Sequence, residues 1–242
     1  MRAALRSLAV AEEAHRPAGF GAERDELRAL ISQMGGLAEH AIRESMRCLM
    51  HRDSAGARAV VEADARLDAL EAEAEARIVA FIARHPPSDE DLREAVAALK
   101  IVGVVERIGD YAKNIAKRVP QVDAGRSDIE PLSLLPAMAR IAAEMVGDVL
   151  DAFVARDAAA AEQVCARDRS VDDFYDSIFR ALLTFMIEDP ASVGRAAHLL
   201  FVAKNLERIG DHATNIAEMV YFAATGARMP ERQRGDDGIG GR

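Results

Sequence analysis

Apolar residues recur along this chain at helical spacing in six long stretches, separated by short polar or proline-marked breaks. From about Glu23 to Met50, the positions Leu27, Leu30, Ile31, Met34, Leu37, Ala38 and Ala41 trace one face of a helix. Asp53 or Ser54 then stands in a capping position and opens a second helix that reaches Arg84. His85-Pro86-Pro87 stops that helix, because proline lacks the donor and disfavours a helical residue before it. Ser88 or Asp89 starts a third helix, predicted to end near Pro120. The same order follows again: a helix from about Leu132 to Arg156, one opened by Asp157 and ending at Glu188, and a sixth started by Asp189-Pro190.

The recurrence is literal in one place. ERIGDYAKNIA at Glu106–Ala116 returns as ERIGDHATNIA at Glu207–Ala217, with nine of eleven positions identical and an offset of 101. Asp53 and Asp157 are related by an offset of 104, so the link between the second and third helices is three residues shorter in the second copy. Three long helices with short links, present twice, predict an all-α chain of two tandem, pseudo-symmetric three-helix bundles. The bundles are placed at residues 23–122 and 127–225, with residues 1–22 as a loose leader and the Gly/Arg-rich residues 226–242 as a disordered tail.

Composition narrows the function classes. Half the residues are hydrophobic, yet aromatics make up 5% and tryptophan is absent, which suits close-packed helices. A net charge of −9 argues against a nucleic acid as partner, since phosphate binding needs a basic face, and it suits cations or a basic protein. Cys48 and Cys165 are not repeat equivalents and form no C-x-x-C, so neither a disulfide framework nor a zinc knuckle is expected. No apolar run approaches a membrane span, and Arg2 and Arg6 are not followed by an apolar stretch before Glu12 and Glu13. A soluble, cytoplasmic protein is expected.

The repeated string carries the candidate chemistry. With Glu106 at zero, Asp110 falls at about 40° and Asn114 at about 80°, while the apolar seam lies between about 160° and 260°. The oxygen ligands therefore face away from the seam. Gly109 and Gly210 each cost about 1 kcal/mol relative to alanine in a helix interior, and space for a close neighbour would justify them. In the first copy Lys113 and Lys117 share the acidic face, as a salt-bridged surface would. In the second copy their places are taken by Thr214 and Glu218, so the stripe of Glu207, Asp211 and Glu218 is expected to lack a lysine or arginine. The preceding helices carry a second pair at the offset of 104, Asp64 and Asp68 matching Asp168 and Asp172. Antiparallel neighbours would set each pair against the next helix's Glu, Asp and Asn (Glu207, Asp211 and Asn215 in the second copy) and gather hard oxygen donors twice. Such a set suits Mg²⁺, Mn²⁺, Ca²⁺ or iron, with zinc possible.

Other chemistry is thin. The histidines form no H-x-x-x-H pair, and His212, beside the motif, has Tyr111 as its counterpart. The one E-x-x-H, Glu12 to His15, lies in the leader, and no Walker loop, G-x-S-x-G or Cys/His nucleophile is found. The residues around Phe179–Met186 and Leu199–Val202 are expected to be packing.

Taken together, the chain resembles the PhoU family over about residues 23 to 225. The resemblance rests on QMGGLAEHAI at Gln33–Ile42, RDSAGARAVVEADARLD at Arg52–Asp68, DVLDAF at Asp148–Phe153, FMIEDP at Phe185–Pro190 and both ERIGD strings. It implies a non-enzymatic regulator with surface metal clusters held through E(D)-x-x-x-D motifs. Carried over, these are Glu106/Asp110 and Glu207/Asp211, with Asp64/Asp68 and Asp168/Asp172 alongside and Asn114 and Asn215 next on the face. The metal would be iron, zinc, manganese or magnesium. The resemblance further implies repression of phosphate-starvation genes, contact with a sensor histidine kinase and with the ATPase subunit of a phosphate ABC transporter, and a homodimer. Two other readings use the same residues: a metal-dependent hydrolase or oxidase, and a helical scaffold in which the repeat is only packing and charge.

Overall fold

The structure, a computed structural model, describes residues 19–85, 87–123 and 133–230. The leader before residue 19, the junction between the repeats at 124–132 and the tail after 230 lie outside the described residues.

Helix α1 spans Phe20–His51 and α2 spans Ser54–Arg84. Helix α3 covers Asp89–Ala116 and is followed by a short α4, Val119–Asp123. The second repeat comprises α5 (Leu135–Ala155), α6 (Ala158–Glu188) and α7 (Val193–Thr225). Among the described residues there is no strand. Local chemistry places most of these boundaries. Asp53 and Asp157 cap α2 and α6, their carboxylates accepting from the backbone N–H of Gly56 and of Ala159 and Ala160. Ser88 accepts from the N–H of Asp91, and Asp89, Glu90 and Asp91 place negative charge on the first turn of α3. Asp189 caps a single 3₁₀ turn, Pro190–Ser192, which leads into α7. Arg52 and Arg156, equivalent in the repeat, end α1 and α5 in the left-handed conformation at φ 55° and 56°.

Two boundaries differ from the sequence reading. Residues Phe20–Ala22, assigned to the leader, form the first turn of α1. The reason is tertiary: the Phe20 ring is buried, 5.0 Å from Phe81 and 5.5 Å from His85 at the end of α2. Helix α3 stops at Ala116, and Pro120 lies inside α4 instead of ending α3.

Each repeat is a three-helix bundle, α1/α2/α3 and α5/α6/α7, and the two are joined by α1 against α5 and α3 against α7. The outer helices α2 and α6 pack within their own bundles. The buried apolar side chains form one continuous core through both repeats. Gly35 marks the closeness of the α1–α5 contact, since a Cβ there would lie 2.1 Å from Leu150 Cδ1. At one end a buried ion network ties the repeats together. Glu94, 5% exposed, accepts from Arg28 Nε at 2.7 Å and faces Arg156 Nη2 of the second repeat at 3.1 Å. Arg156 also reaches Glu90 at 2.8 Å. The expectation that Phe179–Met186 and Leu199–Val202 are packing holds only in part. Leu182, Leu199 and Val202 are buried, whereas Phe179, Leu183 and Phe201 are exposed, because these segments pack on one side only.

Candidate functional site

Glu106 and Glu207 lead equivalent turns of α3 and α7, each facing its own outer helix. Where α3 meets α7, the repeat equivalents Tyr111 and His212 lie with ring centroids 5.3 Å apart. Burial, with Arg107 and Arg208 nearby, lowers the pKa of His212, so the imidazole is a neutral packing partner. The two acidic groups flank this contact.

In the first repeat, Asp64 of α2 lies beside Gly109 and Lys113 of α3, with its side chain 8% exposed. The Lys113 ammonium is hydrogen-bonded to Asp64 and paired with Asp110 as well. Toward the next turn, Glu106 is pushed up to about 7, first by burial and then by the negative charges of Asp110, Glu71 and Asp68. Glu71 is also raised, by burial first and then by Glu75 and Asp68. Glu71 is the residue the repeat analysis missed. It stands three positions after Asp68, on the same helix face, but its counterpart is Tyr175, so a search for acids common to both copies passes over it.

In the second repeat, Asp168 is 8% exposed and its Oδ1 would lie 3.0 Å from a Cβ placed on Gly210. Asp172 is pushed up to about 6 by burial and then by Asp168, Asp211 and Glu207. Asp211 is raised by burial and by Asp168, against the opposing charges of Lys204 and Arg208. The expected lysine-free stripe is corrected here: Lys204 Nζ lies 2.6 Å from both carboxylate oxygens of Glu207. Lys204 precedes Glu207 by three residues and so shares its face, upstream of the repeated string. Its counterpart is Gly103, and the counterpart of Lys113 is Thr214, whose hydroxyl donates to the Asp211 carbonyl. The two repeats thus carry their lysine at opposite ends of the acidic group.

The structure brings Asp64, Asp68, Glu106 and Asp110 together, and likewise Asp168, Asp172, Glu207 and Asp211. Asn114 and Asn215 follow one turn later and, among the described residues, form no hydrogen bond with these carboxylates. The space beside Gly109 is taken by α2: a Cβ there would lie 2.3 Å from Leu67 Cδ2, so this glycine serves helix packing. The donors are all hard oxygens, and their mutual repulsion is what a hard cation would relieve, so the donor chemistry fits one. As the side chains stand, no three histidine, cysteine or acidic residues are set to hold a metal ion among the described residues, and ammonium groups occupy the carboxylates instead. Nor is any helix among the described residues long and apolar enough to cross a membrane.

The fold and site define an all-α, internally duplicated protein built around paired acidic faces. The PhoU domain family model matches residues 31–119 and 135–220, one copy on each repeat. A "Phosphate-specific transport system accessory protein PhoU homolog" of Zymomonas mobilis is 50% identical over 226 residues, covering 93% of this chain and 95% of that protein. The homolog of Caulobacter vibrioides is 43% identical over 223 residues, covering 90% of this chain and 95% of that protein. Among solved structures, PhoU from Pseudomonas aeruginosa superimposes with a TM-score of 0.81 at 35% identity, covering 86% of this chain and all of that one. The regulatory protein PhoU from Streptococcus pneumoniae, 23% identical with a TM-score of 0.80, covering 88% of this chain and all of that one, shows the fold alone. The chain belongs to the PhoU family, whose members are accessory proteins and not enzymes.

Proposed function

We propose that this chain is a negative regulator of the phosphate-starvation response. As a PhoU accessory protein of the phosphate transport system it has a role in phosphate regulation, and that much rests directly on its relatives. The finer reading is that it links the ATPase subunit of the phosphate ABC transporter to the sensor histidine kinase. In phosphate-replete cells it favours the kinase's phosphatase state and restrains uptake, acting in the cytoplasm or at the inner face of the membrane through these partners. The observation that carries the reading is 50% identity across both repeats to a protein of that name. Alkaline phosphatase activity in phosphate-replete cells lacking the gene tests it. High activity that falls on complementation supports repression, and activity that stays low without the gene overturns it.

The carboxylate faces extend the reading. Asp64, Asp68, Glu106 and Asp110, with Asn114, would bind one hard metal ion or cluster, and Asp168, Asp172, Glu207 and Asp211, with Asn215, another. Iron, zinc, manganese and magnesium are the candidates. Binding would require Lys113 and Lys204 to swing out. A second reading, favoured by those two ammonium groups, is that the clusters are charge-balanced packing without metal. Metal content of the Glu207→Ala/Asp211→Ala variant separates the two, since unchanged stoichiometry would remove the second face as a site. A homodimer is also proposed, with sedimentation of the purified chain as its test.

A further inference from the structure

Helices α3 and α7 run antiparallel where the two repeats join, and the outer line they share is basic. Three contacts fix the register: Arg93 lies against Gly226, Tyr111 against His212, and the Arg118 guanidinium 4.8 Å from the Phe201 ring centroid. With Arg107 at zero on α3, Lys100 falls at about 20°; with Arg208 at zero on α7, Phe201 falls at about 20°. Lys100, Arg107 and Arg208 are exposed, and the two arginines flank the Tyr111–His212 contact. Among the described residues, none of Lys100, Arg107, Arg118 and Arg208 is ion-paired with a carboxylate. The acids nearest the line are Asp89 at its start, and Asp110 and Asp211 about 60° round toward the outer helices. Asp110 is held by Lys113, while Glu71 and Asp211 approach Arg107 and Arg208 from those outer sides, beyond ion-pair distance. In a chain with a net charge of −9, four cations are thus left without carboxylates on one line. Both ends of the line are apolar. Phe201 is 54% exposed at one, and Val96 and Phe222, 38% and 39% exposed, stand one turn inside the Arg93–Gly226 contact at the other.

We propose that the α3–α7 line docks an acidic segment of a partner protein. Carboxylates at the middle of the segment would take Arg107 and Arg208, for which a guanidinium fork is well shaped, and apolar residues at its two ends would cover Phe201 and the Val96–Phe222 pair. Length and width select this occupant. Lys100 and Arg118 are separated by about 25 Å at the rise of a helix, a span that a small anion does not cover. The acidic groups of the two repeats border the line on either side. A flat anionic membrane laid over it would press its headgroups against both sets of carboxylates, whereas a segment one helix wide fits between them. A second copy of the chain has little free acid to offer on the opposite, α1–α5 face of the junction, where Glu39, Glu144 and Asp148 are already paired with Arg43, Arg140 and Arg167. The inference stands on the α3–α7 line alone and goes beyond the phosphate-response reading, so either can fail without the other.

The test is in-cell photocrosslinking of the full chain with benzoylphenylalanine in place of Phe201, an exposed aromatic that the probe resembles. The linked segment is sequenced by mass spectrometry. The expected product is a segment of another protein in which aspartate and glutamate outnumber lysine and arginine. Its yield should fall at least about tenfold in Arg107→Gln/Arg208→Gln, and Arg107→Lys/Arg208→Lys, which keeps the charge, should retain most of it. Arg66→Gln/Arg169→Gln, at two exposed arginines of the outer helices, changes the net charge equally and should leave the yield within about twofold. Circular dichroism establishes that each variant is folded, and both arginines of the line lie outside the proposed metal ligands. Crosslinks only to this chain or to lipid, a linked segment without an acidic surplus, no product, a lysine pair no better than the glutamine pair, or an equal loss in the outer-helix control would each overturn the proposal.

Discussion

Replacing Lys113 by threonine, the residue its counterpart Thr214 already is, separates charge-balanced packing from a cation site. The lysine bridges two unequal carboxylates: Asp110 is 42% exposed and Asp64 8% exposed. The exposed pair contributes at most about 1 kcal/mol. Stranding Asp64 costs more, because removing one partner of a buried pair costs about 3–5 kcal/mol. With some water reaching the rim, the expected destabilisation is about 2–4 kcal/mol. For a chain of this length that is a fall in Tm of about 5–15 °C. The variant's cluster of Asp64, Asp68, Glu71, Glu106 and Asp110 is then free of ammonium, and a cation at about a hundredfold over its Kd should return about 2.7 kcal/mol. The assay is thermal and urea unfolding followed at 222 nm, in chelator and then with Mn²⁺. Thr214→Lys is the converse, with the added ammonium reducing Mn²⁺ stabilisation of the second cluster. A Lys113→Thr protein within about 1 kcal/mol of wild type in chelator, or equal Mn²⁺ stabilisation of both proteins, would refute the reasoning.

Two further outcomes follow from the same physics. Glu94→Ala removes the buried carboxylate that Arg28 and Arg156 share, leaving them only the exposed Asp25 and Glu90, and should cost about 3 kcal/mol, whereas Glu90→Ala, at a carboxylate 53% exposed, should cost under about 1 kcal/mol. Urea unfolding measures both, and equal costs would mean that the buried network does not clamp the repeats. Metal-free protein should also lose stability as pH rises. Glu106, at about 7 against an ordinary 4.5, and Asp172, at about 6 against 3.8, hold protons in the folded state that the unfolded chain has already released. Their contribution therefore declines from about pH 4 to about pH 7 and is then constant. Glu106→Gln should flatten Tm against pH over the upper part of that range, and a slope identical to wild type would contradict the raised acid.

The helices and their duplication were legible in the residues themselves. The caps Asp53, Ser88, Asp157 and Asp189 act within three residues of their own position, and the apolar period is a property of each helix alone, so neither needs the rest of the molecule. The acids were legible too, because the repeat marks them twice. What the tertiary structure decided is everything that depends on how one helix sits against another. Phe20 joins α1 because Phe81 and His85 lie beside it, and Gly109 is small because Leu67 crosses there. The merging of the two bundles into one core follows from α1 meeting α5 and α3 meeting α7. Glu71 enters the first acidic group and Lys204 the second from positions where the copies differ. Whether such a side chain reaches its neighbours depends on helix rotation and offset, which arise from contacts far apart in the chain. Local spacing places an acid on a face, and only packing determines which cation stands in front of it.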